Sequence, residues 1–451
     1  MPIRATLVQM TALLTDLYEL NMAASYWRRS MNDQATFSLF VRRLPAGRGF
    51  LVAAGIESCL DYLEGMKFED DDLRYMREVL GFSQADVERF RRFRFTGDIW
   101  AVPEGRIVFA GEPLVEVSAP LPEAQLIETL LLNKITFETT IASKAARSVV
   151  AAKGRDVIDF SFRRTQGIEA AMEVAKLSAM VGFVGTSNVE AAKRYGLSAA
   201  GTMAHSYIEA FPTEAGAFKA FAQDFPGRPT FLVDTYDTLA GVQHAADVIK
   251  ELGLRGRLGI RLDSGDLAEL AKQSRRLLDR AGLAGVRIIA SGGLDELQIE
   301  ALVRERAPID AFGVGTKMGV SADHPYLDTA YKLVWYAGRA VMKLSRGKVT
   351  APGSKQIFRR VRPFGDLVGL RDEALPAGRE RLLELVMTGG RRVGGRPALA
   401  RSRARFELDL AALPPPARSL RSPKSPAVLI SPRLRRLSAS TRRELVTGRG
   451  T

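Results

Sequence analysis

Hydrophobic and polar positions change rhythm along this chain, and each rhythm predicts a different kind of element. Over residues 12–30, ALLTDLYELNMAASYWRRS, the apolar Leu13, Leu17, Leu20, Met22 and Ala24 recur near helical spacing, with Thr15 or Asp16 placed to cap the first turn. That pattern predicts a helix. ATFSLFVRRLP then alternates Phe37, Leu39 and Val41 with polar neighbours, which predicts a strand ended by Pro45 and Gly47. DIWAVPEGRIVFAGEPLVEVSAP reads as short strands joined by PEG and GEP turns, a small β-subdomain. A long helical pattern from Pro122 to about Lys153 closes the region.

After Gly154 one unit repeats: a short apolar run, a polar tip, then an amphipathic stretch. The runs are DVIDFSF, VGFVGT, LSAAGTMAH, PTFLVDT, RLGIRLDSGD, VRIIASGG and IDAFGVGT. The clearest helix follows the fifth, where Asp266 is placed as N-cap, Leu267, Leu270, Ala271, Leu277 and Leu278 form the buried stripe, and Gly282 ends it. Strands alternating with helices at this spacing predict parallel βαβ units, and seven of them favour closure into a barrel over an open sheet. From Ala330, AYKLVWYAGRAVMKLS returns to strand-like text. Beyond Pro376 come RERLLELVM, a Gly/Arg segment, PPPARSLRSP, and ISPRLRRLSASTRREL with a Ser-Pro helix start. The division expected is an α+β domain over 1–154, a catalytic α/β barrel over 155–350, and a basic, partly helical extension over 351–451. Part of that extension is expected to pack on the N-terminal domain and part to be mobile near its Gly/Arg and Pro segments.

Length and charge refine this picture. At 451 residues the chain exceeds what one core usually serves. Its formal charge of +14 raises nucleic acid as a partner, but fifteen Lys and Arg against three acidic residues lie between Arg391 and Thr451, so the excess belongs to the tail. A tail poor in aromatics has little on which bases can stack, so no nucleic acid is expected; a nucleic-acid-binding protein acting through this tail is the remote competing class. The single cysteine, Cys59, excludes an intrachain disulfide and reads as a packing residue. The first residues lack an uninterrupted apolar signal region, and no stretch is apolar enough for a membrane helix, so a cytoplasmic protein without membrane association is expected.

In a parallel barrel the reacting groups gather at the carboxyl ends of strands. The tips that fall there are Arg163 and Arg164, Thr186 and Ser187, Thr202 and His205, Asp234 and Asp237, then Arg261, Asp263 and Asp266, Ser291 to Gly293, and finally Gly313, Gly315 and Thr316. ASGGLDE and FGVGTKMG would each be an ordinary turn alone. As adjacent tips they have the form of phosphate cradles, the first with a helix following it. In RLDSGD, Arg261 and Asp263 stand two apart on a strand and share a side, so a carboxylate for a vicinal diol lies beside a guanidinium for an anion; the competing reading is a structural ion pair. Arg163 and Arg164 should face opposite sides if their strand persists. His205 is either a packed histidine bonded to a backbone carbonyl or, among these tips, a nucleophile or base. His244 sits in a helical pattern and reads as structural, and His324 as a loop residue.

The ordered set TDLYELNMA, FSFRRTQG, GFVGTSN, GTMAHS, VDTYDT, RLDSGD, ASGGLD and FGVGTKMG resembles the nicotinate phosphoribosyltransferase family. The resemblance implies an irregular TIM-like α/β barrel of the type II phosphoribosyltransferases, with a second α+β domain formed from the N-terminal region and part of the C-terminus. It implies transfer of a phosphoribosyl group from phosphoribosyl pyrophosphate to nicotinate in NAD salvage, with ATP as co-substrate through a phosphorylated histidine, matched here by His205. Arg163 and Arg261 would bind the substrate anions, Asp263 the ribose hydroxyls, and Thr202 the nicotinate. Phe160, Ser187, Ser291 and Gly313 would complete the substrate site, and Gly292, Gly293, Gly315 and Thr316 would cradle the 5′-phosphate. Tyr18 would stack on the pyridine ring of a partner subunit's site, since the family forms homodimers with shared sites. Magnesium would arrive on the substrate's phosphates, with Asp234 helping to hold it. Relatives that use nicotinamide carry an acidic residue at the position matched by Ser187, so a hydroxyl there favours the acid. Nicotinamide or quinolinate transfer on the same scaffold is the nearest alternative.

Overall fold

The computed structural model describes residues 11–448. Two compact units emerge: one holds the described residues up to Thr140 together with Tyr326 onward, the other Ile141–Pro325. The first unit is therefore built from both ends of the chain. Its main sheet runs in the order Arg339–Ala340, Thr329–Tyr336, Gln34–Val41, Pro113–Pro120, Asp98–Ala101, Glu384–Thr388, Arg391–Arg392, with every neighbouring pair antiparallel. The alternation read at Phe37, Leu39 and Val41 is buried throughout, and Phe37 stacks on Tyr331 at 4.7 Å between ring centroids. The N-terminal helix covers Leu17–Arg28 with Asp16 at its N-cap, although that side chain instead accepts a bond from Thr129.

Two expectations about the C-terminal part need correction. Thr329–Tyr336, assigned to the barrel segment, pairs with Gln34–Val41, because Leu333 and Tyr331 extend the apolar face of that sheet. The Gly/Arg segment, expected to be mobile, is ion-paired. Arg392 reaches Glu57 and Asp61, and Arg396 meets Asp61 at 2.7 Å, so the basic residues answer the acidic face of the helix Ile56–Gly65. The tail continues through a helix at Leu399–Ala412 that buries Phe406, a strand at Val428–Ile430, and the helix Pro432–Thr447, capped by Ser431 through Leu434 N at 3.0 Å.

A buried charge network underlies a four-stranded sheet of this unit, in the order Glu380–Arg381, Lys355–Val361, Phe364–Leu370, Val428–Ile430. Arg359, wholly buried, donates to Asp366 at 2.9 and 2.6 Å, to Asp409 at 2.8 Å, and to the carbonyl of Ile107 at 2.7 Å. Glu112 lies beside it with no exposure and accepts from Phe109 N at 2.8 Å. Burial, and then the neighbouring Asp366, push the Glu112 carboxyl well above its ordinary range despite Arg359. The native state therefore binds a proton that the unfolded chain releases near pH 4.5, and this contribution to stability declines as pH rises above that value. Glu112→Gln keeps the shape and removes the titration. Denaturant unfolding of the variant is expected to show a shallower loss of stability than the parent as pH rises above 4.5, and identical slopes would refute a protonated Glu112.

The second unit carries the repeated βα pattern. Its strands are β1 (Asp156–Asp159), β2 (Gly185–Thr186), β3 (Thr230–Leu232), β4 (Gly259–Leu262), β5 (Arg287–Ala290) and β6 (Ala311–Val314), in the order β2-β1-β6-β5-β4-β3, all parallel. Residues sharing one face of these strands are fully or nearly buried, as at Val157, Phe231, Ile260, Ile288 and Phe312. The helix Leu267–Arg280 begins as read, with Asp266 accepting from Ala268 N and Glu269 N at 3.1 Å. Six of the seven apolar runs supply strands. The third, Leu197–His205, does not: only Ala199 bridges to Thr186, and the segment from Gly201 to Ala204 has no regular structure. Gly201 and the small Ala199 and Ala200 give it little to bury, so the sheet curls without a full strand between β2 and β3.

Candidate active site

The tips of β4 and β5 meet in one hydrogen-bonded cluster centred on Arg261. Its Nε donates to Ser291 Oγ at 2.8 Å, one Nη to Thr202 Oγ at 3.3 Å, and the other Nη to Asp263 at 2.6 Å. Arg261 and Asp263 share a side of the strand, as their spacing requires. Ser291 also donates to Asp263. Burial alone would raise the Asp263 carboxyl, but Ser291 and Arg261, with His205 a further contributor, outweigh it and hold it below the usual carboxylate range. The Arg261 guanidinium lies 5.5 Å from the Phe160 ring centroid.

Glycine is required where the strand ends crowd together. A Cβ on Gly292, whose φ is +91°, would stand 1.7 Å from the carbonyl oxygen of Asp263. One on Gly313 would stand 2.6 Å from the Phe160 ring. The first tip therefore lies flat on the β4 terminus, and the second lets the aromatic ring settle against β6. The helix after ASGGLDE, Glu296–Arg304, does not offer its end to a phosphate as expected. Asp295 already accepts from Leu297 N and Gln298 N at 3.0 Å and meets Lys317 at 3.1 Å. Among the described residues no side chain caps the short helix Thr316–Gly319, which follows Gly315. Lys144 and Arg147 bracket the buried Glu296 at 2.7 and 2.8 Å and so fix the element that follows the turn.

Asp234, at the end of β3, accepts from Asp263 N at 3.1 Å and from Ser264 Oγ at 2.5 Å through one oxygen. Its other oxygen is buried and has no hydrogen-bond partner among the described residues. A single carboxylate with a spare oxygen suits magnesium brought in on phosphates, since that ion commonly takes one or two carboxylates and completes its shell with substrate oxygens and water. His205 opens the helix His205–Glu209, half-buried, with Nδ1 at 3.1 Å from Thr235 Oγ. Its Nε2 has no partner among the described residues. It is thus not the packed histidine of the competing reading.

Two contributors escaped the sequence reading. Asp159, buried at the end of β1, accepts from Ser161 N at 2.8 Å, Ser161 Oγ at 2.6 Å and Thr186 Oγ at 2.7 Å. Burial raises its carboxyl in spite of those donors. It fastens the β1 tip to the β2 tip, and its carbonyl accepts from Ser187 N at 2.8 Å. Thr235 orients the imidazole. A polar residue closing an apolar run was the available signal in both cases. Arg163 and Arg164 do not alternate as a strand would place them, because β1 ends at Asp159 and residues Phe162–Arg164 form a 3-10 turn. Both are exposed, and neither guanidinium has an ion-pair partner among the described residues. Asp237 is spent on capping Ala240 N at 2.8 Å, and His244 is 2.8 Å from Glu214 within a helix pair.

Comparison with known proteins decides what this cluster belongs to. The nicotinate phosphoribosyltransferase N-terminal domain model matches residues 13–136, and the model of the nicotinate phosphoribosyltransferase family matches 156–355. A nicotinate phosphoribosyltransferase of Mycobacterium tuberculosis is 49% identical over 416 residues, 91% of this chain and 89% of its own length. The chain belongs to the nicotinate phosphoribosyltransferase family. The Bacillus subtilis nicotinate phosphoribosyltransferase is 44% identical over 376 residues, 80% of this chain and 76% of its own. The crystal structure of human nicotinic acid phosphoribosyltransferase superposes with a TM-score of 0.84 at 31% identity, covering 94% of this chain and 99% of that one. The α/β fold read from the motifs, an irregular barrel with a second α+β domain drawn from both chain ends, is thus the fold of the nicotinate phosphoribosyltransferases. The Arg261 cluster and His205 both lie within the matched family segment.

Proposed function

We propose that this chain joins nicotinate to phosphoribosyl pyrophosphate, giving nicotinate mononucleotide and pyrophosphate, with ATP hydrolysis coupled through a phosphate carried on His205. The observation that carries this reading is the Arg261 guanidinium shared among Thr202, Asp263 and Ser291 at adjoining strand ends. Such a cluster offers a diol acceptor and an anion donor beside a glycine turn. The pyridine nitrogen supplies its own lone pair to the ribose anomeric carbon, the bond from that carbon to the pyrophosphate oxygen breaks, and the electrons leave with pyrophosphate. No proton needs to move in that step, so catalysis rests on holding the sugar and stabilising the leaving charge. Asp263, held ionised, accepts from the ribose hydroxyls, Arg261 meets the developing anion, and Gly292, Gly293, Gly315 and Thr316 seat the 5′-phosphate. Magnesium, when bound with Asp234 and the substrate, neutralises phosphate charge. Arg163, exposed in its turn, is free to swing onto a substrate anion, and Phe160 and Gly313 close the floor.

Tyr18 lies on the first unit's N-terminal helix, 45% exposed, its hydroxyl pushed up by burial and by Glu128 and Glu19. It would serve the site of a second subunit in a homodimer. Among the described residues no helix is long and apolar enough to cross a membrane, and the assignment to the cytoplasm rests on the metabolic reaction proposed. Incubation with nicotinate, phosphoribosyl pyrophosphate, magnesium and ATP, followed by product identification, tests the whole reading; absence of nicotinate mononucleotide would sink it.

Substrate choice rests on Ser187, which is half-buried at the β2 tip. Its hydroxyl can donate to a carboxylate, whereas an acidic residue would repel nicotinate and accept from an amide. Ser187→Asp is expected to lower kcat/KM for nicotinate relative to nicotinamide by about tenfold to a hundredfold, the range of one misplaced charge against a bound ion. An unchanged ratio in a pyrophosphate-release assay would remove Ser187 from the selectivity argument.

A further inference from the structure

The C-terminal chain builds a cavity that the reaction above does not use. In the first unit, about 630 Å³ lies between the helix Pro432–Thr447 and the chain around Trp335, Ser354 and Leu370–Asp372. Arg433, Arg436, Leu437 and Ser440 line it at spacings of three, four and seven residues, which places them on one helical face. The wall is cationic. Arg433 shares its charge with Asp372 at 2.6 Å, and Arg436, exposed, has no ion-pair partner among the described residues. Arg371 comes from the opposite side, held from behind by Glu116 at 2.8 Å and by the Trp100 ring at 3.7 Å. Its Nε is buried and lacks a hydrogen-bond partner among the described residues. Glu116 is already shared with Lys355 at 3.1 Å, so it cannot neutralise Arg371 alone. Three guanidiniums therefore line the space against two carboxylates, Asp372 and the shared Glu116.

The remaining surface is apolar, with Trp335, Leu370 and Leu437 beside those cations. An inorganic anion would satisfy the arginines and leave this surface wet; a purely apolar ligand would leave the arginines unanswered. A ligand with both an aromatic ring and a phosphate uses the whole lining, and the volume suits a molecule of that size. We propose that this cavity is a second ligand site, taking a nucleoside monophosphate with its phosphate on Arg433 and Arg436 and its base against Trp335 and Leu437. The site is independent of the strand-end cluster and does not rest on the activity proposed for it.

Binding can be read without catalysis. All three tryptophans, Trp27, Trp100 and Trp335, fall in the first unit and none in the second. Titration of the full chain with AMP should produce saturable quenching of tryptophan fluorescence and a matching calorimetric isotherm. The double variant Arg433→Ala/Arg436→Ala should weaken binding at least tenfold while unfolding at the same temperature as the parent. Trp335→Phe should lose most of the quenching yet still bind by calorimetry, and Asp263→Asn should leave the affinity unchanged. Any of four results overturns the proposal: no saturable binding, binding insensitive to the arginine pair, binding lost in Asp263→Asn, or inorganic phosphate binding as tightly as AMP.

Discussion

Replacing Arg261 with lysine should lower kcat/KM for phosphoribosyl transfer by about a hundredfold to a thousandfold, the usual consequence of losing a positioned donor to developing negative charge. The geometry explains why a retained positive charge does not rescue the site. Guanidinium nitrogens reach Ser291, Thr202 and Asp263 at once while the guanidinium carbon lies over the Phe160 ring. An ammonium group is a point charge on a flexible stem and cannot span that fork. Asp263 would lose one of the partners that keep it ionised. The loss is expected mainly in kcat, with a smaller change in KM, because the anion forms as pyrophosphate departs. Steady-state rates at saturating substrates check this, and a lysine variant within threefold of the parent would show that Arg261 is only a structural ion pair.

Replacing His205 with alanine should abolish ATP hydrolysis and leave at most slow, uncoupled transfer. The imidazole is fixed by its contact with Thr235, which leaves the second ring nitrogen as the one available to a phosphoryl group. In the coupled reaction that nitrogen would attack the terminal phosphorus of ATP, the bond to ADP would break, and water would later release phosphate. Thr235→Val keeps the imidazole and removes its orienting partner, so it should retain part of the ATPase. An ATPase unchanged in His205→Ala, followed by phosphate release alongside nicotinate mononucleotide formation, would refute the assigned role.

The strand-end cluster was legible because it is local. Arg261 and Asp263 sit two apart, Gly292 and Gly293 follow an apolar run directly, and His205 closes one, so each announces itself within a few residues. Thr235 and Asp159 did not, since their importance is a contact to residues some thirty positions away, His205 for one and Thr186 for the other. Arg163 could not be oriented from the sequence because its strand stops four residues earlier and a tight turn intervenes. The division of the chain was misjudged for a similar reason. Thr329–Tyr336 looks like ordinary edge text, and only pairing with Gln34–Val41 reveals where it belongs, whereas Glu384–Thr388, paired with Asp98–Ala101, is the expected packing of the C-terminal extension on the N-terminal domain. The basic tail misled through its composition, for Arg392 and Arg396 carry charge that acidic side chains on the helix Ile56–Gly65 already answer.

A sheet woven from both chain ends constrains the order of biosynthesis. The continuous stretch Ile141–Pro325 can complete its own parallel strands as soon as it leaves the ribosome. Gln34–Val41, made far earlier, must wait with one hydrogen-bonding edge bare until Thr329–Tyr336 is synthesised. Exposure to misassembly and chaperone capture thus lasts through most of translation, and it belongs to the segment made first.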